Sequence, residues 1–426
     1  MIVRKAIALF LSVMFTIACI CSLAGCSPKD NTIVIWAYDY YIDAAKEAVA
    51  IYQSEHPDQK FEVVELGQDD MVQKFNIALA SGDKSNLPDI ICDEDYNIKG
   101  YLEFYQKYFA DLTPYIDTSK YVDFKVKDVT YDGKIYGIPY DTGVAAWFYR
   151  ADIMEEAGFT ANDLENITWD RFIEIGKTVK EKTGKYMMPT LFEGNIEGRI
   201  ILQSSGSWYY DEEGNLDILE NKAIIDMMST LKKLHDSGVV ALASSWDDII
   251  AKFYSGEAAG VIGGSWWAPV IAANEDHFGL WRVAPIPTMT GSSEYKNYSS
   301  CGGCSWYVIN NDNSKVAIDF LTDTIAVSDE IADKLVASNQ VVPALKTAFS
   351  VPSATAGDPY FGGQNICEIM AKWGEDVPYV NYSSHSYEIA YAHGNLFTDY
   401  LAGNTTAEEV VNELQVEAEA IVSGSN

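Results

Sequence analysis

Cysteine and histidine are scarce, at 7 and 5 of 426 residues. Cys19, Cys21 and Cys26 fall at the very start, leaving Cys92, Cys301, Cys304 and Cys367 for the rest. Four cysteines spread over the remaining chain exclude a disulfide scaffold. A zinc site wants a second CxxC or a histidine pair, and neither spacing occurs, so no metal is expected. Positive charge is short as well: 30 Lys and Arg stand against 62 Asp and Glu, a net charge of -32. So acidic a chain is a poor partner for nucleic acid or an anionic membrane surface. There is no P-loop, HExxH or GxSxG, and no cofactor is implied. The run DEDYNIKG (93–100) fails as a calcium loop, because Ile98 stands where glycine is required. Internal repeats and low-complexity segments are absent. After residue 26 no apolar run has spanning length.

What is present starts with an address. Arg4 and Lys5 precede an apolar run from Ala6 to Ile20, and Leu23-Ala24-Gly25-Cys26 closes it with small residues. This reads as a secretory signal over 1–25, too short and wrongly flanked for a spanning helix. Its ending resembles the lipobox of bacterial lipoproteins, which implies a lipid on Cys26, an anchor to the outer face of the cell membrane and a short tether over 26–32.

From residue 33 the pattern alternates. IVIWAY (33–38), KFEVVEL (60–66) and PDIIC (88–92) read as strands. DAAKEAVAIYQSEH (43–56) and DMVQKFNIALASG (70–82) read as helices, the second with Asp70 as N-cap and Gly82 past its end. That order predicts a parallel α/β sheet. Ligands bind such sheets beyond the carboxyl ends of the strands. There the sequence gathers Tyr38–Tyr41, Gly67–Asp69 and Asp93–Tyr96. Later stretches are more helical: 168–184, capped by Thr168 and ended by Gly184; 221–238; and 404–422, with a Thr406–Glu409 capping box.

YDGKIYGIPYDTGVAAWFYRADIMEEAGF (131–159) resembles the hallmark segment of the extracellular solute-binding proteins of ABC importers, family 1, the oligosaccharide-binding type. LPDIICDEDYNIKGY (87–101), ITWDRFIEIGK (167–177), FYSGEAAGVIGGSWWAPVI (253–271) and WRVAPIPT (281–288) agree with that family in the same order. The match spans about 33 to 422, nearly all of the mature chain. The resemblance implies a two-lobed periplasmic-binding-protein fold, each lobe an α/β unit with a central sheet. Hinge strands would join the lobes, with residues 33–140 and 286–328 in lobe one and 141–285 and 329–426 in lobe two. It implies a monomer that captures a carbohydrate in the inter-lobe cleft, closes over it and delivers it to the permease of an ABC transporter, without catalysis.

The candidate ligand residues follow from sugar chemistry. Flat rings cover the C–H face of a pyranose, and carboxylates accept from its hydroxyls. Trp266 and Trp267 lead, with Trp266 favoured by the resemblance and the adjacent ring pointing elsewhere. Trp208, Trp246, Asp141, Asp93, Asp95, Tyr38, Tyr40 and Glu193 complete the set, while Trp36 reads as core. The stretch 385–396 lacks the tryptophan and arginine of maltose-binding relatives, so the glycan stays open, with Tyr387 or His393 as substitutes. In CGGC (301–304), Cys304 runs into a strand and not a helix N-terminus, so a thioredoxin-like role fails. Gly302 and Gly303 instead allow positive φ or close backbone approach at a cleft or hinge. A Cys301–Cys304 disulfide stays open. Two rival readings remain: the same fold with a polyamine, peptide or metal ligand, or a secreted glycoside hydrolase.

Overall fold

The computed structural model describes residues 31–192, 196–326, 328–339 and 342–424. Its first element, β1 (Ile33–Ala37), leads into α1 (Tyr41–Glu55), β2 (Phe61–Glu65), α2 (Gln68–Ser81), β3 (Ile90–Glu94) and α3 (Asp95–Tyr105). β4 (Gly137–Pro139) ends this first passage. β1 pairs in parallel with both β2 and β3, as the alternating pattern predicts. The expected helix cap differs: Gly67 precedes α2, and Asp70 lies inside its first turn, where a carboxylate still favours the helix dipole.

The chain then builds a second layer. β5 (Ala145–Arg150) is fully buried and is followed by α4 (Trp169–Thr183), α5 (Ile196–Ser204), α6 (Lys222–Asp236) and α7 (Trp246–Tyr254). α4 has the caps read from the sequence. Thr168 accepts from the Arg171 amide at 3.1 Å, and Gly184 closes the helix at φ 73°. Such an N-cap contributes about 1 kcal/mol. β6 (Gly260–Gly264) and β7 (Trp281–Ala284) flank β5 in an antiparallel sheet of order β6-β5-β7.

β8 (Cys304–Val308) returns to the first sheet and inserts between β3 and β4, antiparallel to both. The full order is β2-β1-β3-β8-β4, so the first sheet is mixed and not wholly parallel. After α8 (Asp329–Asn339) the chain ends on α9 (Ser386–Leu401) and α10 (Ala407–Gly424), which pack on each other and on α6. The Thr406–Glu409 box is made in both directions, at 2.9 and 3.2 Å.

Each sheet has its own apolar core, and the fold is the two-lobed α/β architecture. The lobe boundaries differ from those read in the sequence. Ile286, Met289 and Cys301 pack in the second lobe's core, so the return crossing lies at the glycines of CGGC and not near 285. Ile331, Ala344, Leu345 and Ala348 belong to the first lobe's core, because α8 lies against α1 and Leu345 bridges to Tyr121.

Candidate functional site

Three segments cross between the lobes side by side. Residues 140–144 run between 300–304 and 342–345, stitched by backbone hydrogen bonds. The Cys301 amide donates to Gly143 O at 2.8 Å and the Tyr140 amide to Cys304 O at 3.1 Å. The Thr142 amide donates to Val342 O at 2.9 Å and the Ala344 amide to Tyr140 O at 2.8 Å. Gly302 and Gly303 take φ of 84° and 90°, the left-handed region that glycine enters freely. The close approach they permit is to Gly143 and Thr142 of the neighbouring crossing segment. CGGC is therefore part of the hinge. Cys304 is buried under Tyr38, whose hydroxyl lies 3.0 Å from its Sγ, and its thiol neighbour is Cys92 and not Cys301. All four described cysteines are buried. Burial pushes the Cys92 and Cys301 thiols up to about 11, so neither is a reactive thiolate.

Above the hinge, the carboxyl ends of β1 and β3 and the start of α2 converge as the topology requires. Gln68 reaches Glu94 at 3.2 Å and the Tyr38 hydroxyl at 3.4 Å. From the second lobe comes a cluster of three tryptophans. Trp266 donates its Nε1–H to Cys301 O at 2.8 Å, which ties it to the hinge. Trp246, 39% exposed, stacks on Trp267 at 4.5 Å between centroids and 14° between planes, and meets Trp266 at 5.6 Å. Trp246 and Trp266 thus form a partly exposed aromatic ledge, with Trp267 as its buried foundation.

Several expected contacts are placed otherwise. Asp93, Asp95 and Asp141 do not line an open cleft; they are interior carboxylates, each held by at least one protein partner. Asp141 accepts from the Cys304 amide at 2.6 Å and from the Tyr40 and Tyr41 hydroxyls at 3.0 and 3.3 Å. It braces the hinge. Asp93 accepts from the Glu94 amide at 2.8 Å and Asn97 at 3.1 Å, binding the end of β3 to the first turn of α3. Asp95 forms an ion pair with Lys125 and accepts from the Tyr307 hydroxyl at 2.6 Å. Tyr38 is buried for the same reason as Cys304, and Tyr40 keeps part of its surface. Trp208 and Trp267 are each 1% exposed. Trp208 is core because its Nε1–H is used by Ser386 Oγ at 2.9 Å and its ring is wedged against Tyr96 and Tyr382. His393 is likewise interior, paired with the Tyr209 hydroxyl at 3.0 Å, whereas Tyr387 is exposed. Glu193 and Cys26 lie outside the described residues.

Of two further residues of the cleft, the sequence places Glu94 only within the strand-end group Asp93–Tyr96 and does not single out Arg199. Glu94 ends β3, and Arg199 projects from α5 with its guanidinium 4.2 Å over the Tyr96 ring and 3.8 Å from the Glu94 carboxylate. They join the two lobes. The hint available was Arg199 itself, the one cation of the helix, directly before the apolar run Ile200-Ile201-Leu202.

The interior acids predict a pH dependence. Burial pushes the Asp93 carboxyl up to about 7, against the pull of Asn97 and the Glu94 amide, with the Glu94 carboxylate and Tyr101 also facing it. Burial and then the Asp95 charge push Asp128 up to about 8, opposed by Lys125, Lys99 and Lys127. An unfolded aspartate titrates near 3.9. The native state therefore holds more protons than the unfolded chain between these values. The resulting stability is full below about pH 4 and is lost as pH rises through 7 to 8. The melting temperature should be several degrees higher at pH 5 than at pH 8, and Asp93→Asn should flatten that slope. A melting temperature that rises over this range would contradict the account.

Known proteins resemble the chain along most of its length. The lactose-binding protein of Rhizobium radiobacter is 36% identical over 408 residues, covering 94% of both chains. The arabinooligosaccharide-binding protein of Halalkalibacterium halodurans is 26% identical, covering 91% of this chain and 89% of its own. The sugar-binding protein MalE of Xanthomonas citri superposes with a TM-score of 0.78 at 16% identity, over 92% of this chain and 98% of that one, and so shares its fold. Residues 47–359 match the bacterial extracellular solute-binding proteins, and the chain belongs to that family.

Proposed function

We propose that the protein is the substrate-binding component of an ABC importer, that it captures a neutral carbohydrate between its lobes, and that a β-galactoside such as lactose is the first ligand to test. The aromatic ledge of Trp246 and Trp266, open beside the hinge, carries this reading. Indole faces at the mouth of a closing cleft suit the C–H face of a pyranose. The 36% identical relative named for lactose supports the choice of sugar. Binding without turnover agrees with a family of solute-binding proteins. The hydrolase alternative loses its chemistry here, because Asp93, Asp95 and Asp141 are committed to protein partners.

The remaining parts of the reading concern delivery. A permease partner, a lipid on Cys26 in Leu-Ala-Gly-Cys, and a monomeric, membrane-tethered form outside the cytoplasm suit the sequence of the N-terminus and the family's extracellular setting. The ligand-binding residues proposed are Trp246, Trp266 and Tyr40, with Gly302 and Gly303 shaping the cleft floor.

A thermal-shift titration of the fragment from Ser27 tests the reading. Lactose at a hundred times its dissociation constant should stabilise the native state by about 2.7 kcal/mol. Trp246→Ala should weaken lactose about tenfold or more, roughly 1.4 kcal/mol, while the unliganded melting point barely moves, because the ring is partly exposed. No response to lactose or to any malto-, arabino- or galacto-oligosaccharide, with a clear response to putrescine, would overturn the carbohydrate reading.

A further inference from the structure

We infer that Glu94 and Arg199 act together as a specificity-determining grip that takes two adjacent hydroxyls of a neutral saccharide, one lobe supplying the acceptor and the other the donors; this rests on the carbohydrate reading above.

The geometry of the pair is the starting point. The guanidinium and carboxylate stand 3.8 Å apart, close enough to attract and too far to share a hydrogen bond. Their side chains are 21% and 20% exposed, so each is largely out of water yet open on one side. Glu94 spends one oxygen on Gln68 at 3.2 Å and turns the other toward Arg199. Arg199 rests on the Tyr96 ring and makes no hydrogen bond among the described residues, so its fork of donors is available. Elsewhere in this interior the charged groups are provided for: Asp141 has three donors, and Asp95 has a lysine and a tyrosine. A half-buried guanidinium with unused donors stands out against that background.

The pair also lies where a ligand on the tryptophan ledge would reach it. A Cβ placed on Gly302 would sit 3.3 Å from Trp266 Nε1 and 3.5 Å from Glu94 Oε1. Trp266 of the ledge and Glu94 of the pair therefore border the same glycine. A ring stacked on the ledge would present its hydroxyl rim toward Glu94 and Arg199.

The chemistry selects the ligand class. In a vicinal diol one hydroxyl donates to the carboxylate and its neighbour accepts from the guanidinium, and both bonds are charge-assisted. The pair is neutral as a unit. A polyamine would meet the Arg199 charge, and an anionic sugar would meet Glu94, so each pays a repulsion that a neutral sugar avoids. Because the partners come from β3 and α5, a ligand bridging them also draws the lobes together.

Calorimetry with lactose as the probe tests the inference on the intact soluble chain, using wild type, Glu94→Gln, Arg199→Lys and the double variant. Arg199→Lys keeps the charge and loses the fork. Each single change should weaken lactose about tenfold or more, and the double should cost less than the sum, because both groups serve one ligand. Unliganded melting points should stay near the wild type. A structural role alone would lower those melting points and leave the affinity within about twofold; that result overturns the inference while wild-type binding keeps the carbohydrate reading. If wild type binds putrescine in place of any glycan, both fall.

Discussion

Lys125→Met should destabilise the protein by about 3–5 kcal/mol, measured by urea unfolding. The lysine is 1% exposed and pairs with Asp95, whose side chain is 3% exposed. Burial alone would lower the ammonium's pKa, but Asp95, Asp141 and Asp128 together outweigh it and raise it. Methionine would fill the space and leave the Asp95 carboxylate in the interior with the Tyr307 hydroxyl as its remaining support. An uncompensated buried charge is far costlier than a missing pair. The double change Lys125→Met with Asp95→Asn should therefore recover much of the loss, roughly 2 kcal/mol. A single variant within about 1 kcal/mol of wild type would show that water reaches this site.

The second large effect is expected at Gly143. Its φ is 55°, and an added Cβ would lie 2.6 Å from the carbonyl carbon of Gly302 and 2.6 Å from the Gly303 nitrogen. Both are backbone atoms of a neighbouring crossing segment, so no side chain can rotate away. Gly143→Ala should cost about 1–2 kcal/mol for the left-handed backbone and a further 1–3 kcal/mol for the overlap. Gly133 provides the comparison. It has φ 72° with nothing within 4 Å of an added Cβ, so Gly133→Ala should incur the first cost only. Equal urea midpoints for the two variants would mean that the hinge segments separate easily.

The two kinds of information differ in reach. Local signals were readable because they are short-range: the Thr168 and Gly184 caps and the Thr406–Glu409 box lie within a few residues of their partners, and the parallel run of β1, β2 and β3 follows from the local alternation of strand and helix patterns. The strand-end rule also brought Tyr38, Gln68 and Glu94 to one edge. What stayed hidden depends on distant partners. Asp95 and Asp141 have the right composition for a sugar site, and nothing near them in sequence says that Tyr307, Lys125 and Cys304 will occupy them. Trp208 looks like Trp266 until Ser386 and Tyr382 close around it. The glycines of CGGC were legible as conformational devices, but their partner, Gly143, was not. Arg199 was passed over because its value comes from Glu94, on the other lobe.

The return of β8 has a consequence for how the chain is made. β8 fills the gap between β3 and β4, so β4 has no neighbour in the first sheet until Cys304–Val308 exists. The Tyr307–Asp95 bond closes 212 residues of chain. Ordering so long a loop is entropically costly and slow. A growing polypeptide that has passed residue 140 still cannot finish its first lobe, and the second must begin before the first is complete. Such interleaving keeps an emerging chain open through most of its synthesis, the condition in which it can still be threaded through a narrow channel.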